Sequence, residues 1–188
     1  MNLRVLLVDG DEERAASVRA ALEASGANVV TVVADAPDLV ALVRANAADV
    51  IVCDLDDPSR DALESMRALD RHEPRPVVVF AARGDADQIQ AAIEAGVAAY
   101  VVEGLQPARV RPVLDVAIRR FRAIQALRAE LEKTRSTLAE RILIERAKGV
   151  LMQRRRLSEA EAYRLMRRMA MKRRQRVVHI AEAILSEK

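Results

Sequence analysis

Short apolar runs rich in valine, at residues 3–8, 29–33, 50–53, 77–80 and 99–102, recur through the first half of the chain with amphipathic segments between them. A strand covered on both faces has little room for polar residues, so such runs predict buried parallel strands. The intervening segments predict helices starting near Asp11, Pro37, Arg60, Asp85 and Pro107. Pro37 and Pro107 suit a first helical turn, where no amide donor is needed. Five successive strand–helix units make a doubly wound α/β sheet. Chemistry in such a sheet gathers beyond the carboxyl ends of the strands, a rim that here holds Asp9, Asp11, Asp54 and Ala81.

The second half follows a different rhythm. From Pro107 to the early 150s the only glycine or further proline is Pro112 near the start and Gly149 near the end. Phe121, Ile124, Leu127, Leu131 and Leu138 succeed one another at multiples of three or four, with Thr134 filling the gap, as in a coiled-coil seam. This predicts a long helix whose apolar stripe finds no partner in its own sheet domain. Burial of each large side chain is worth roughly 1.5–3 kcal/mol, so a parallel homodimer is expected. Ser158 with Glu161 three residues on forms a capping-box pattern that opens a second helix, and a third is expected over about residues 175–185. Together they predict an all-α three-helix bundle, with Ala147 and Gly149 permitting close helix approach.

Charge divides along the same line. Residues 119–188 carry 20 basic and 8 acidic side chains, net +12, while residues 1–118 carry 11 and 20, net −9, so the overall +3 conceals two opposed halves. The end of the first tail helix and the turn before the third are expected to lie close. On that view Lys148, Arg154, Arg155, Arg156, Lys172, Arg173, Arg174 and Arg176 form one phosphate-binding patch. Arg164 and Arg168, beside Glu161, are read as a solvated face or intrahelical ion pairs. With only Phe80, Tyr100, Phe121 and Tyr163 aromatic, recognition by stacked rings is excluded, and bases would be held by guanidinium planes and hydrogen bonds.

Cys53 is the single cysteine, which rules out an internal disulfide and fits a reducing cytoplasm with a small buried side chain on a strand. His72 and His179 stand alone and no nucleophile sits with a base, so neither enzyme chemistry nor a metal or other cofactor is expected. No run is long and apolar enough to span a bilayer.

The strings LLVDGDEER, DVIVCDLDDPSRDAL, RPVVVFAA and AGVAAYVVEG resemble the receiver domain of bacterial response regulators. That resemblance implies two adjacent acids for magnesium, an aspartate that accepts phosphate, a hydroxyl residue and a lysine. Asp9 and Asp54 match the pattern. The second acid falls on Gly10, the hydroxyl on Ala81 and the lysine on Glu103, with Asp11 or Asp56 as candidates for partial substitution. A carboxylate at Glu103 repels a phosphoryl group that an ammonium would neutralise, so a degenerate pocket of Asp9, Asp11, Asp54, Ala81 and Glu103 is expected, with Asp54 a structural acid.

ERAKGVLM, SEAEAYRLMRRMAM and VVHIAEAIL resemble the ANTAR domain, an RNA-binding antitermination module. With DPSRDAL, RPVLDVAIRRF and QALRAEL added, the whole resembles nitrate and nitrite assimilation regulators of the NasT type. The resemblance implies a pseudo-receiver over residues 1–118, a coiled-coil linker helix over 119–138 and an ANTAR domain over 139–188. It further implies binding to paired hairpins in leader mRNA, and release by a NasS-like nitrate sensor protein. A phosphorylation-switched DNA-binding response regulator is the alternative, although QRRRLSEAEAYRL lacks the tight turn such a reader needs. A protein-interaction hub with a basic tail is a third.

Overall fold

The structure, a computed structural model, describes residues 3–54, 59–102 and 107–186, which fall into two compact units, 1–125 and 126–188. In the first, strands β1 (Leu3–Asp9), β2 (Ala27–Val33), β3 (Val50–Asp54), β4 (Val77–Ala81) and β5 (Ala99–Val102) form a parallel sheet of order β2-β1-β3-β4-β5. Helices α1 (Glu12–Ala24), α2 (Leu39–Asn46), α3 (Arg60–His72) and α4 (Ala86–Glu94) alternate with the strands, and α5 (Pro107–Arg155) follows.

Alternate strand residues face opposite sides, and each side builds its own core. Val5, Leu7, Val50, Val52, Val78 and Phe80 meet Ala15, Val18 and Leu22 of α1 and Val110, Leu114 and Ala117 of α5. Leu6, Val8, Ile51, Cys53, Val77 and Val79 meet Leu39, Val43, Met66, Leu69 and Ala92 on α2 to α4. This double cover explains why the strands read as unbroken apolar runs. It is the five-stranded doubly wound arrangement expected. Pro37 differs from expectation: α2 starts two residues later, because Asp38 accepts the Ala41 amide and takes the cap position itself.

In the second unit the last part of α5 packs with α6 (Glu159–Arg173) and α7 (Val177–Ser186). Ala147, Ala162, Ala170 and Ala181 are buried with Leu151, Met166, Ile180 and Ile184, so small residues sit where these helices converge. The capping box at the start of α6 forms in full, with Ser158 and Glu161 satisfying each other's backbone amides. Among the described residues no helix is long and apolar enough to cross a membrane.

Gly149 does not play the contact role expected of it, since a Cβ built there meets nothing within 4 Å. A mid-helix glycine costs about 0.5–1 kcal/mol relative to alanine. Gly149→Ala should therefore raise the unfolding free energy by that amount in chemical denaturation, whereas a loss of stability would show that this face is covered by something outside the chain.

Candidate functional site

β1 and β3 run side by side with Asp9 in register with Asp54, so two carboxylates share one rim of the sheet, each only 3% exposed. Sequence reasoning missed the group that makes this tolerable. Arg14, in the first turn of α1, reaches back over the strand ends: its Nη2 lies 2.8 Å from Asp9 Oδ1 and its Nε 2.9 Å from Asp54 Oδ2. The same Nε donates to Asp9 Oδ2 at 3.1 Å. Asp11, the N-cap of α1, accepts the Arg14 amide at 2.9 Å and donates its own amide to Asp9 at 2.9 Å. The cap therefore fixes the turn that aims the guanidinium. The only signal in the sequence was an arginine three residues beyond a capping aspartate.

This arrangement answers whether a divalent ion fits. Magnesium asks for octahedral oxygen ligands and usually draws on one or two carboxylates with several waters. Here a guanidinium already lies against both carboxylates, Asp11 is committed to capping, and Gly10 offers no ligand. A Cβ at Gly10 meets only Ala34 O at 3.7 Å, so the missing acid is not excluded by space. The remaining residues do not fit the ion. Ala81 ends β4 fully buried and without a hydroxyl; Glu103 and Asp56 lie outside the described residues. Burial, and after it the Asp54 charge, pushes the Cys53 thiol up to about 12, so it stays an inert thiol inside the strand. Among the described residues no cluster of His, Cys, Asp or Glu could hold a metal.

The basic end departs from expectation in two respects. Lys148 is not on the surface: it is 8% exposed, and its Nζ donates to Glu145 at 2.8 Å and to Glu159 at 2.7 Å, with the Tyr163 ring centroid 5.9 Å away. It ties α5 to the first turn of α6. Its hydrogen bonds to Glu145 and Glu159 raise its pKa, and the Lys148 hydrogen bond, then its charge, hold the Glu159 carboxyl below its ordinary range.

The expected single patch is also divided. Arg176 Nη2 bonds Glu140 Oε2 at 2.8 Å, placing the turn before α7 beside a residue fifteen positions upstream of Arg155 on α5. At 1.5 Å per residue that separates the two cationic ends by roughly 20 Å. Arg154, Arg155 and Arg156 are exposed at one end, and Lys172, Arg173 and Arg174 at the other. Arg156 and Arg174 stop their helices in the left-handed region, at φ 54° and 52°. Between the ends, Arg164, Arg167 and Arg168 of α6 join Arg155 along one open cleft of about 660 Å³. The spacing of Arg164 and Arg168 from Glu161 predicts a solvated face or intrahelical pairing. Arg164 Nε donates to its own helix at Ala160 O, and the Glu161 carboxyl is held below its ordinary range by the Ser158 hydroxyl and amide first and by the Arg164 charge after them.

Along α5 the apolar stripe is bare. Ile124, Leu127, Leu131 and Leu138 are exposed, Leu127 by 70%, and the Thr134 hydroxyl is satisfied by Glu130 O at 2.8 Å. Phe121 differs, being half-buried on the first unit beside Leu3 and Pro74.

Comparison with known proteins accords with this geometry. The response regulator receiver domain profile matches residues 5–115, and the ANTAR domain profile matches residues 132–185. The transcriptional regulatory protein PdtaR of Mycobacterium tuberculosis is 29% identical over 182 residues, covering 97% of this chain and 89% of PdtaR. The signal receiver domain of the putative response regulator NarL from M. tuberculosis superposes with a TM-score of 0.55 at 25% identity, over 62% of this chain and 96% of that one. A response regulator from Thermotoga maritima shares the fold, with a TM-score of 0.56 at 22% identity over 63% and 99% of the two chains.

Arg14→Ala leaves Asp9 and Asp54 facing each other without their cation. It should cost roughly 1–3 kcal/mol, less than a fully buried pair because Arg14 is partly exposed, and should create a magnesium-dependent rise in melting temperature. The unsubstituted protein should melt at one temperature with or without magnesium; a rise there would contradict the assignment. At the basic end, the depressed Glu159 carboxyl stabilises the fold above the ordinary carboxylate range and loses that contribution as pH falls through its lower folded value. Lys148→Met should accordingly lose less stability than the parent between about pH 5 and pH 3 in denaturation titrations, and identical acid limbs would refute the pairing.

Proposed function

The chain belongs to the response regulator family, a receiver domain followed by an ANTAR domain, and on that footing we propose a transcription antitermination regulator that binds paired hairpins in leader mRNA. The observation that carries this reading is the row of exposed arginines on the three-helix unit, whose nearby acids are already engaged: Glu140 by Arg176, Glu145 and Glu159 by Lys148, Glu161 by Ser158. A surplus of cations over available acids forms an electrostatic footprint for a polyanion. The narrow A-form major groove hides base edges, so selection falls on unpaired loop bases.

Control passes to a protein partner. The acid pair that would take a metal and a phosphoryl group is already engaged by Arg14, which leaves the acidic receiver as a docking module. The resemblance of the whole chain to NasT-type regulators supports a NasS-like nitrate sensor as that partner, and nitrate and nitrite assimilation genes as the target. The exposed stripe of Ile124, Leu127, Leu131 and Leu138 supports a parallel homodimer that presents two RNA-binding modules to two hairpins. A pseudo-receiver over 1–118, a linker helix over 119–138 and an RNA-binding module over 139–188 remain the working division.

A gel-shift titration at one salt concentration, comparing a leader hairpin, the same hairpin with its loop replaced, and duplex DNA, tests the reading: the first should bind tightest. Arg173→Ala with Arg174→Ala should weaken hairpin binding and make its salt dependence shallower, by about 0.7–0.9 in log–log slope for each phosphate no longer neutralised. Duplex DNA binding as tightly as the hairpin would instead favour a DNA-binding regulator. Leu131→Lys with Leu138→Lys should convert a dimer to a monomer in sedimentation velocity, and an unchanged mass would remove the seam.

A further inference from the structure

We infer that the cleft on α6 is the place where an unpaired RNA loop base is received, with its neighbouring phosphates held by the arginines at the rim. The inference rests on the RNA-binding reading and adds to it which face reads the loop. The cleft is lined by Arg155, Leu157, Glu161, Arg164, Leu165, Arg167, Arg168 and Met171, and its volume of about 660 Å³ falls within the roughly 300–1,000 Å³ of small-molecule sites.

Two features separate it from an ordinary solvated helix face. The first is charge: four arginines surround one carboxylate, Glu161, whose Oε2 already accepts the Ser158 amide at 2.9 Å and hydroxyl at 2.6 Å. Among the described residues no carboxylate pairs with Arg155, Arg167 or Arg168. The second is its apolar lining. Met171 is 75% exposed and stands in the same cleft as Leu165 and Leu157.

A surface that only gathers phosphates has no use for apolar area, and Met171 presents such area at the cost of hydrating it. A flat nucleobase fits both features, since its faces rest on thioether and aliphatic carbon while guanidinium planes stack on it and bond its edges. Position adds to the argument. The cleft starts at Arg155, where α5 ends, and reaches Met171, one residue before the Lys172 to Arg174 cluster, so it bridges the two cationic ends that the structure holds apart. A strand crossing the unit can contact phosphates at both ends and set a base down between them.

The test uses the full chain and a library of RNA hairpins with a randomised loop on a constant stem. Hairpins enriched by binding are compared with the same stem closed by a non-nucleotide linker. Met171→Asp, at a site exposed enough to spare the fold, should weaken binding to enriched hairpins roughly tenfold or more while changing binding to the linker-closed stem less than about threefold. Arg173→Ala with Arg174→Ala should weaken both probes by similar factors. Met171→Asp that preserves the hairpin-to-stem ratio, or that weakens both probes equally, would overturn the cleft as a base site and leave RNA binding standing. Failure of the unsubstituted chain to enrich any hairpin would overturn the RNA reading itself.

Discussion

One guanidinium governs how the first domain behaves. Asp9 and Asp54 end neighbouring strands in register, almost without exposure, where two negative charges repel strongly unless a cation lies between them. In receivers of the usual pattern the resemblance assigns that role to a bound metal. Here it falls to Arg14, tethered one helical turn away and aimed by the Asp11 cap. A cation that belongs to the chain is not lost to solvent as a bound ion can be. A phosphoryl group or metal entering this rim would have to displace that guanidinium from Asp9 and Asp54.

The second unit uses charge in the opposite way. Its core is made of alanines and a few large aliphatic residues, which bring three short helices close and turn nearly every long basic side chain outward. Four of its acids are spent on structure: one pair clamps Lys148 across the α5–α6 turn, Glu161 caps α6, and Glu140 anchors the turn before α7. What remains is a one-signed row along α6. One domain thus places a cation of its own between two buried acids, and the other carries a surplus of cations on its surface.

Most of the fold could be read along the chain because its causes are local or periodic. Buried strands announce themselves as valine runs, and the Ser158–Glu161 box as a spacing of three. Pro37 misled because Asp38, next to it, is the better cap. The sites were less legible because they depend on what meets across the fold. Arg14 gains its role only once β1 and β3 lie side by side. Glu145 lies within one helical turn of Lys148 in the sequence, but Glu159 arrives through the turn, and the pair together withdraws the lysine from the surface. The single basic patch failed on length: fifteen residues of α6 carry the Arg173 end away from the Arg155 end, and the intervening arginines become the surface that matters.

Response regulators that switch by phosphorylation respond to beryllofluoride with magnesium, which imitates the phosphoryl group on the acceptor aspartate. Measuring the affinity of the full chain for an enriched RNA hairpin by fluorescence anisotropy, with and without beryllofluoride and magnesium at constant ionic strength, addresses the two halves together. A receiver rim already closed by Arg14 and an RNA-binding unit controlled elsewhere predict superimposable titrations. A severalfold change in affinity on adding the mimic would show that the rim still takes a phosphoryl group and passes the signal on, and would contradict the account.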